Sequence, residues 1–340
     1  MLLCDIFYIF VKNFNEKSLL FFTIMNSNDT TNNAEVKGRF APSPSGRMHL
    51  GNVYAALMSW LSVKSKGGKW LLRIEDLDPQ RCKLDYALQL EDDLNWLGLS
   101  WDEGGTAENC MQSQRSDIYE EYLSKLKTMH LTYPCHCTRA DIMATQAPHE
   151  SDGRIVYKGT CRPDYLTLPL NYDGATVRLC VPDEVISFED GHYGTQAVNL
   201  MEHCGDFIIR RKDGAWAYQL AVVVDDALMG VTEIVRGNDL LLSTPQQIYL
   251  HRILGFTPPA FIHHPLLCND SGQRLSKRDK SLDLGMLRQK YSPEDLIGYL
   301  AFQTGLIPQF EPIFPTDLLP LFSWEKIPKN NIHTDVTLDI

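Results

Sequence analysis

Three groups of residues in this sequence have the types and spacing to do chemistry. The first lies in Lys37 to Asn52, KGRFAPSPSGRMHLGN, where a strand-like run from Gly38 to Ala41 gives way to Pro42, Pro44 and Gly46. The run then delivers His49 and Asn52 to the start of a helix. The prolines bar a premature helix. A helix start offers unpaired N–H groups and the positive end of the helix dipole, so side-chain donors placed there suit phosphate. Taken alone, the stretch also admits an ordinary strand-turn-helix corner. The second group is Arg274-Leu275-Ser276-Lys277-Arg278, in the loop NDSGQRLSKRDKS. Closely spaced cations on such a loop suit a polyphosphate whose charge grows as a bond to phosphorus breaks. A solvated basic loop is the plainer reading. The third is Cys135-x-Cys137 followed by YKGTC, which holds Tyr157 and Cys161. Thiolates so spaced suit a soft divalent cation such as zinc, with Tyr157, His136 or water as the fourth ligand.

These groups need elements to hold them. From Val53 to Ser65, Tyr54, Leu57, Met58 and Leu61 recur at helical spacing, and Gly67-Gly68 ends the run. Trp70 to Asp76, WLLRIED, reads as a strand. Strand, helix and strand make a βαβ unit, which implies a parallel sheet with its ligands at the carboxyl ends of the strands. Leu84, Leu88, Glu91, Leu94 and Leu97 mark a second amphipathic helix, and Ile118, Tyr122, Leu126 and Met129 a third. Residues 134–200 change character and read as an insertion between two halves of the sheet. Phe207–Ile209 and Trp216–Val224 read as a hairpin about Asp213-Gly214. Thr232–Val235 is a further strand, and a helix begins at Pro245, capped by Ser243 or Thr244. Helices over Leu282–Lys290 and Pro293–Thr304, the latter capped by Ser292, complete the pattern. The expected organisation is a leader (1–33), the first half of the catalytic domain (34–133), the insertion (134–200), the second half (201–267), and the basic loop with a helical C-terminal region (268–340). Translation starting at Met25 would account for the apolar opening, and NSNDTTNNAE reads as disordered.

Composition narrows the classes. The chain has 340 residues, 44% of them hydrophobic, enough for about two domains. A net charge of −11 argues against general nucleic-acid coating and leaves room only for a local basic surface. Arg139, Lys158, Arg162, Arg210, Arg211 and Lys212 are candidates for it. Nine scattered cysteines without a secretion signal suit reduced thiols in the cytoplasm. No uninterrupted apolar run reaches the roughly 18 residues of a membrane span.

PSPSGRMHLGN followed far downstream by RLSKR resembles the HIGH and KMSKS signatures of class I aminoacyl-tRNA synthetases. GRFAPSPSG, RIEDLDPQR and VRGNDLLLSTPQQIYL are similar to their glutamyl/glutaminyl branch, over residues 37–305. The resemblance implies an α/β, doubly wound parallel-sheet (Rossmann-type) catalytic domain that joins ATP, as its Mg2+ complex, to an amino acid. It assigns Pro42, His49, Gly51, Asn52, Ser276 and Lys277 to ATP, with His49 and Lys277 catalytic. Asn52 stands where the motif has its second His, and Arg274 where it has its first Lys. Glutamate needs a cation for its side-chain carboxylate and an anion for its α-amino group, and Arg39 and Glu75 supply that pair. By resemblance, Phe40, Ala41, Pro42, Ser43, Tyr218 and Arg236 complete the pocket. Cys135, Cys137, Tyr157 and Cys161 match a C-x-C…Y-x-x-x-C pattern known from one group of the branch, implying one Zn2+ per chain. Ordinary members carry a large anticodon-reading domain where this chain has 36 residues after Thr304. The expectation is therefore the truncated glutamyl-queuosine group, which attaches L-glutamate to the queuosine base in the anticodon of tRNA(Asp). It needs no membrane and no obligate protein partner. The alternative is a truncated glutamyl- or glutaminyl-tRNA synthetase charging a 3′ end. A binding-only paralogue is opposed by the presence of His49, Glu75, Tyr218, Arg236 and Lys277.

Overall fold

The computed structural model describes residues 35–144, 156–164, 170–269, 272–273, 275 and 283–334. The expected leader and the cations Arg274, Lys277 and Arg278, with Ser276, lie outside the described residues. In chain order the main elements are β1 (Lys37–Phe40), α1 (Leu50–Lys64), β2 (Lys69–Leu72), α2 (Leu84–Trp96), β3 (Glu103–Gly104), α3 (Ser116–Thr128), β4 (Thr132–Cys135) and β5 (Thr176–Leu179). They continue with β6 (Val185–Asp190), β7 (Gly194–Asn199), β8 (Phe207–Arg210), α4 (Tyr218–Leu228), β9 (Glu233–Gly237), α5 (Thr244–Ile253), β10 (Ala260–His264) and α6 (Pro293–Gln303).

Seven strands form the central sheet in the order β3-β2-β1-β9-β10-β6-β7. Pairing is parallel from β3 across to β6, and β7 lies antiparallel on β6. Successive strand residues face opposite sides of a sheet, and here they enter two different cores. Trp70, Leu72, Val235 and Ile262 join the core under α1, α2 and α6, while Leu71, Ile234 and Phe261 join the one under α3, α4 and α5. Helices thus cover both faces, as the expected doubly wound fold requires. Helix α1 lies so close on β1 that a Cβ added to Gly38 would stand 2.3 Å from Val63 Cγ2. Chain order reverses at β1, which has the earlier β2 on one side and the later β9 on the other. Above such a switch point the connecting loops part and leave a crevice.

Several local expectations are corrected. The turn at Asp213-Gly214 forms, and Arg210 pairs with Trp216 across it, but the run after Trp216 is helix α4 rather than a second strand. Leu220 to Asp226 are all buried, so the run shows no polar face to reveal a helical period. Helix α2 buries Ala87, Leu90, Asp93 and Leu94 and leaves Leu84 and Leu88 exposed, because Arg47 and Arg288 both pair with Asp93 and turn its side inward. In place of a helix over Leu282–Lys290, a single turn spans Leu284–Leu287. The strands of 134–200 divide between two sheets: β5 pairs with β4 and β8 in a three-stranded antiparallel sheet, while hairpin β6–β7 extends the central one. No helix among the described residues is long and apolar enough to cross a membrane.

Candidate active site

His49 is the N-cap of α1. Its Nδ1 accepts from the N–H of Gly51 at 3.1 Å, and Asn52 Oδ1 accepts from the N–H of His49 at 3.2 Å. An accepting Nδ1 leaves the neutral ring's proton on Nε2, so the imidazole is a donor at a helix start. The Asn that replaces the second His of the motif thus has a local role in closing the capping box. Gly51 and Asn52 also line a small pocket with Tyr54, His264, Leu267 and Leu275. Leu275, from the basic loop, is buried and donates its N–H to Leu267 O at 3.0 Å. Beyond the loop, the N–H of Leu284 bonds Met48 O at 2.9 Å. The motif regions are therefore adjacent through Leu275 and Leu284.

Beside α1 a cavity of about 500 Å³ opens at the switch point. Every residue expected to bind the amino acid lines it: Arg39 and Phe40 from β1, Ala41, Pro42 and Ser43 from the turn, Glu75 beyond β2, Tyr218 at the start of α4 and Arg236 on β9. His49 and Asn52 share the wall. The β1–β2 pairing continues past both strands, with Arg73 N–H on Phe40 O and Glu75 N–H on Pro42 O, each at 3.0 Å, and this sets Glu75 across from the turn.

Behind the cavity lies an ion network that sequence reasoning missed. Arg73 donates to Asp226 at 2.6 Å and to Glu75 at 3.1 Å, and Arg39 Nε reaches Asp226 at 3.4 Å. Arg73 and Asp226 are almost fully buried. Burial raises the Glu75 carboxyl above the usual carboxylate range, against the pull of Arg73 and Arg39. Burial also opposes the charge of Asp226, yet Arg73 and Arg39 hold that carboxyl below its ordinary value. A charged residue inside an otherwise apolar run is the signal that could have found both: Arg in WLLRIED and Asp in AVVVDDAL. Arg236 is held differently, by His263 Nε2 at 3.0 Å, Gln247 Oε1 at 2.7 Å and Thr244 Oγ1 at 2.8 Å.

The small sheet carries the cysteines. Cys135 ends β4, and the Sγ atoms of Cys135, Cys137 and Cys161 lie within 4.8 Å of one another. Cys137 and Cys161 are 3.3 Å apart, and Tyr157 Oη lies 3.4 Å from Cys135 and 3.6 Å from Cys137. Around a tetrahedral zinc, S and O ligand atoms are separated by roughly 3.6–3.8 Å. The three thiols and the phenol therefore have nearly the spacing of a closed four-ligand shell. His136, the other candidate, is exposed and stands outside this cluster. Asp206 braces the surroundings, accepting from Tyr133 at 2.6 Å and from the Val181 N–H at 2.8 Å, while Arg178 stacks on the Tyr157 ring at 3.7 Å.

Comparison with known proteins agrees with this geometry. The family described as tRNA synthetases class I (E and Q), catalytic domain, matches residues 35–308. A glutamyl-Q tRNA(Asp) synthetase of Nitratidesulfovibrio vulgaris is 44% identical, covering 88% of this chain and 95% of the relative. Its counterpart in Symbiobacterium thermophilum is 46% identical over 87% of this chain and 94% of the relative. Among solved structures, a glutamate tRNA ligase from Elizabethkingia meningosepticum, in complex with its amino acid, superposes with a TM-score of 0.74. It is 26% identical and covers 88% of this chain and 67% of that one. With a switch-point cavity, a His-capped helix beside it and relatives matched almost end to end, this chain belongs to the glutamyl-Q tRNA(Asp) synthetase family of class I tRNA synthetases.

Proposed function

We propose that this protein activates L-glutamate with ATP and transfers it to the queuosine base of tRNA(Asp). The observation that carries the first half is the gathering of Arg39, Glu75 and Arg236 in one cavity beside the Nε2–H donor of His49. In this reading Arg39 and Arg236 bind carboxylate oxygens of the amino acid and Glu75 binds its α-ammonium. Phe40, Ala41, Pro42, Ser43 and Tyr218 form the rest of the amino-acid wall. A carboxylate oxygen of glutamate attacks the α-phosphorus of ATP, pyrophosphate leaves with the electron pair of the broken P–O bond, and glutamyl-adenylate remains. His49 donates to phosphate oxygens, with Pro42, Gly51 and Asn52 around the nucleotide. Ser276 and Lys277 would meet the leaving pyrophosphate, where a placed cation lowers the barrier by several kcal/mol. ATP would enter as its Mg2+ complex. In the second step a hydroxyl of the acceptor attacks the activated carbonyl and releases AMP.

The acceptor assignment is supported by the relatives' names and by the match, which takes in 95% and 94% of those relatives. A 3′-end-charging enzyme is the reading it displaces. Cys135, Cys137, Tyr157 and Cys161 would hold one Zn2+ that braces the small sheet, with the cytoplasm as the compartment that keeps the thiols reduced. The test is direct. Purified protein should glutamylate tRNA(Asp) from queuosine-competent cells and leave unmodified tRNA(Asp) uncharged. Labelled glutamate should map to the anticodon fragment. Equal charging of both tRNAs, or label on the 3′ fragment, would overturn the acceptor assignment.

A further inference from the structure

Arg236 is buried on β9, and every hydrogen-bond partner it has among the described residues is neutral: His263, Gln247, Thr244, the Tyr218 hydroxyl and the carbonyl of Leu240. The other arginines in and behind the cavity are matched to carboxylates, Arg39 to Asp226, Arg47 to Asp93, and Arg73 to Asp226 and Glu75. A guanidinium can only donate, so His263 Nε2 must be the acceptor for Arg236 Nε–H, which fixes the imidazole proton on Nδ1. There it meets Asp190 Oδ2 at 2.6 Å. The second oxygen of Asp190 accepts from the N–H groups of His192 and Tyr193 at 3.0 and 2.9 Å. Asp190 ends β6, so the hairpin that extends the sheet reaches the cavity through this chain of contacts.

We infer that His263, locked in its Nδ1–H form by Asp190, is the positioning residue for Arg236. It fixes the plane of the guanidinium with a neutral acceptor and leaves the positive charge for a carboxylate of the amino acid. The inference rests on the proposal that Arg236 binds that amino acid. A carboxylate in direct contact would orient the guanidinium equally well but would spend its charge. Placing the carboxylate one imidazole away gives orientation without neutralisation, as an Asp behind a catalytic His fixes a tautomer.

Asp190→Asn tests this with little change of shape. Its amide oxygen must keep the two backbone N–H groups, so its NH2 faces His263 Nδ1 and drives the ring proton to Nε2, against the Arg236 donors. In glutamate-dependent pyrophosphate exchange, KM for glutamate should rise at least about tenfold while KM for ATP changes less than about twofold, the size of one lost hydrogen bond. His263→Gln, whose amide oxygen can take the place of Nε2, should show the smaller rise. A parallel change in both KM values, or none, would overturn the inference. So would nitrogen NMR of the folded wild-type protein showing His263 protonated at Nε2, a measurement that does not depend on any variant folding. Wild-type protein with no glutamate-dependent exchange would instead overturn the proposed function.

Discussion

The cavity around Arg39, Glu75 and Arg236 and the cluster of Cys135, Cys137, Tyr157 and Cys161 are both partly buried polar assemblies, held together in opposite ways. In the cavity, cations and carboxylates sit on the ends of parallel strands and on α4, and Arg73 and Asp226 pair with one another and with the walls. Its order comes with the fold. In the cluster Cys135 ends β4, Cys137 and Cys161 stand 3.3 Å apart in the loops beside it, and the Tyr157 phenol lies 3.4 Å from Cys135. Three thiols and a phenol so grouped are soft donors for one divalent cation, and their order would be tied to the metal proposed there. The two regions should therefore fail independently.

The largest expected effect is on the cluster. Elemental analysis should find about one zinc per chain in the wild type and almost none in Cys135→Ser, because a three-ligand remnant holds the ion far more weakly. The small sheet should then become the first site of limited proteolysis, while KM for glutamate moves less than about threefold, since metal and folding are coupled only locally. Loss of glutamate binding together with the zinc would break the comparison.

Next comes the ion network. Asp226→Ala leaves Arg73, with no exposed side-chain surface, facing Glu75 alone. Breaking a buried pair from one side costs about 3–5 kcal/mol of stability. Urea unfolding should show a loss of that size. A loss below about 1 kcal/mol, the level of a surface ion pair, would mean that the cavity does not depend on its ions.

How much of this was legible in the sequence follows the same division. His49, Arg39 and the turn residues lie in one continuous stretch, and their placement depends on local rules for prolines and helix starts. The cysteine pattern likewise keeps its residues near in sequence. The partners that hold the cavity do not. Arg73 and Asp226 are separated by 153 positions, and Asp190 and His263 by 73. Local pattern carries no record of such pairings. Helix α4 hides its period because burial on all sides removes its polar face, and the expected face of α2 is buried at Leu94 and Leu97 but not at Leu84 and Leu88, because a buried Asp93 looks like a surface residue until its two arginines are known.

The smallest effect, and the most specific, is the response to pH. Burial raises the Glu75 pKa, so its carboxyl begins to protonate on acidification before an ordinary glutamate would. A neutral carboxyl cannot pair with the α-ammonium of the amino acid. KM for glutamate should therefore climb as pH falls through the raised pKa, approaching about tenfold per pH unit below it. Above the raised pKa the KM should stay level. Glu75→Gln should start from a higher KM and lose most of this slope. Asp226 cannot produce the same profile, because Arg73 and Arg39 depress its pKa and it stays ionised through the window in which Glu75 titrates. A wild-type KM that stays flat until the range of ordinary carboxylates would show that the Arg73 and Arg39 charges outweigh burial at Glu75. The cavity would then be matched in charge before its ligand arrives, and the contrast with the cysteine cluster would be sharper still.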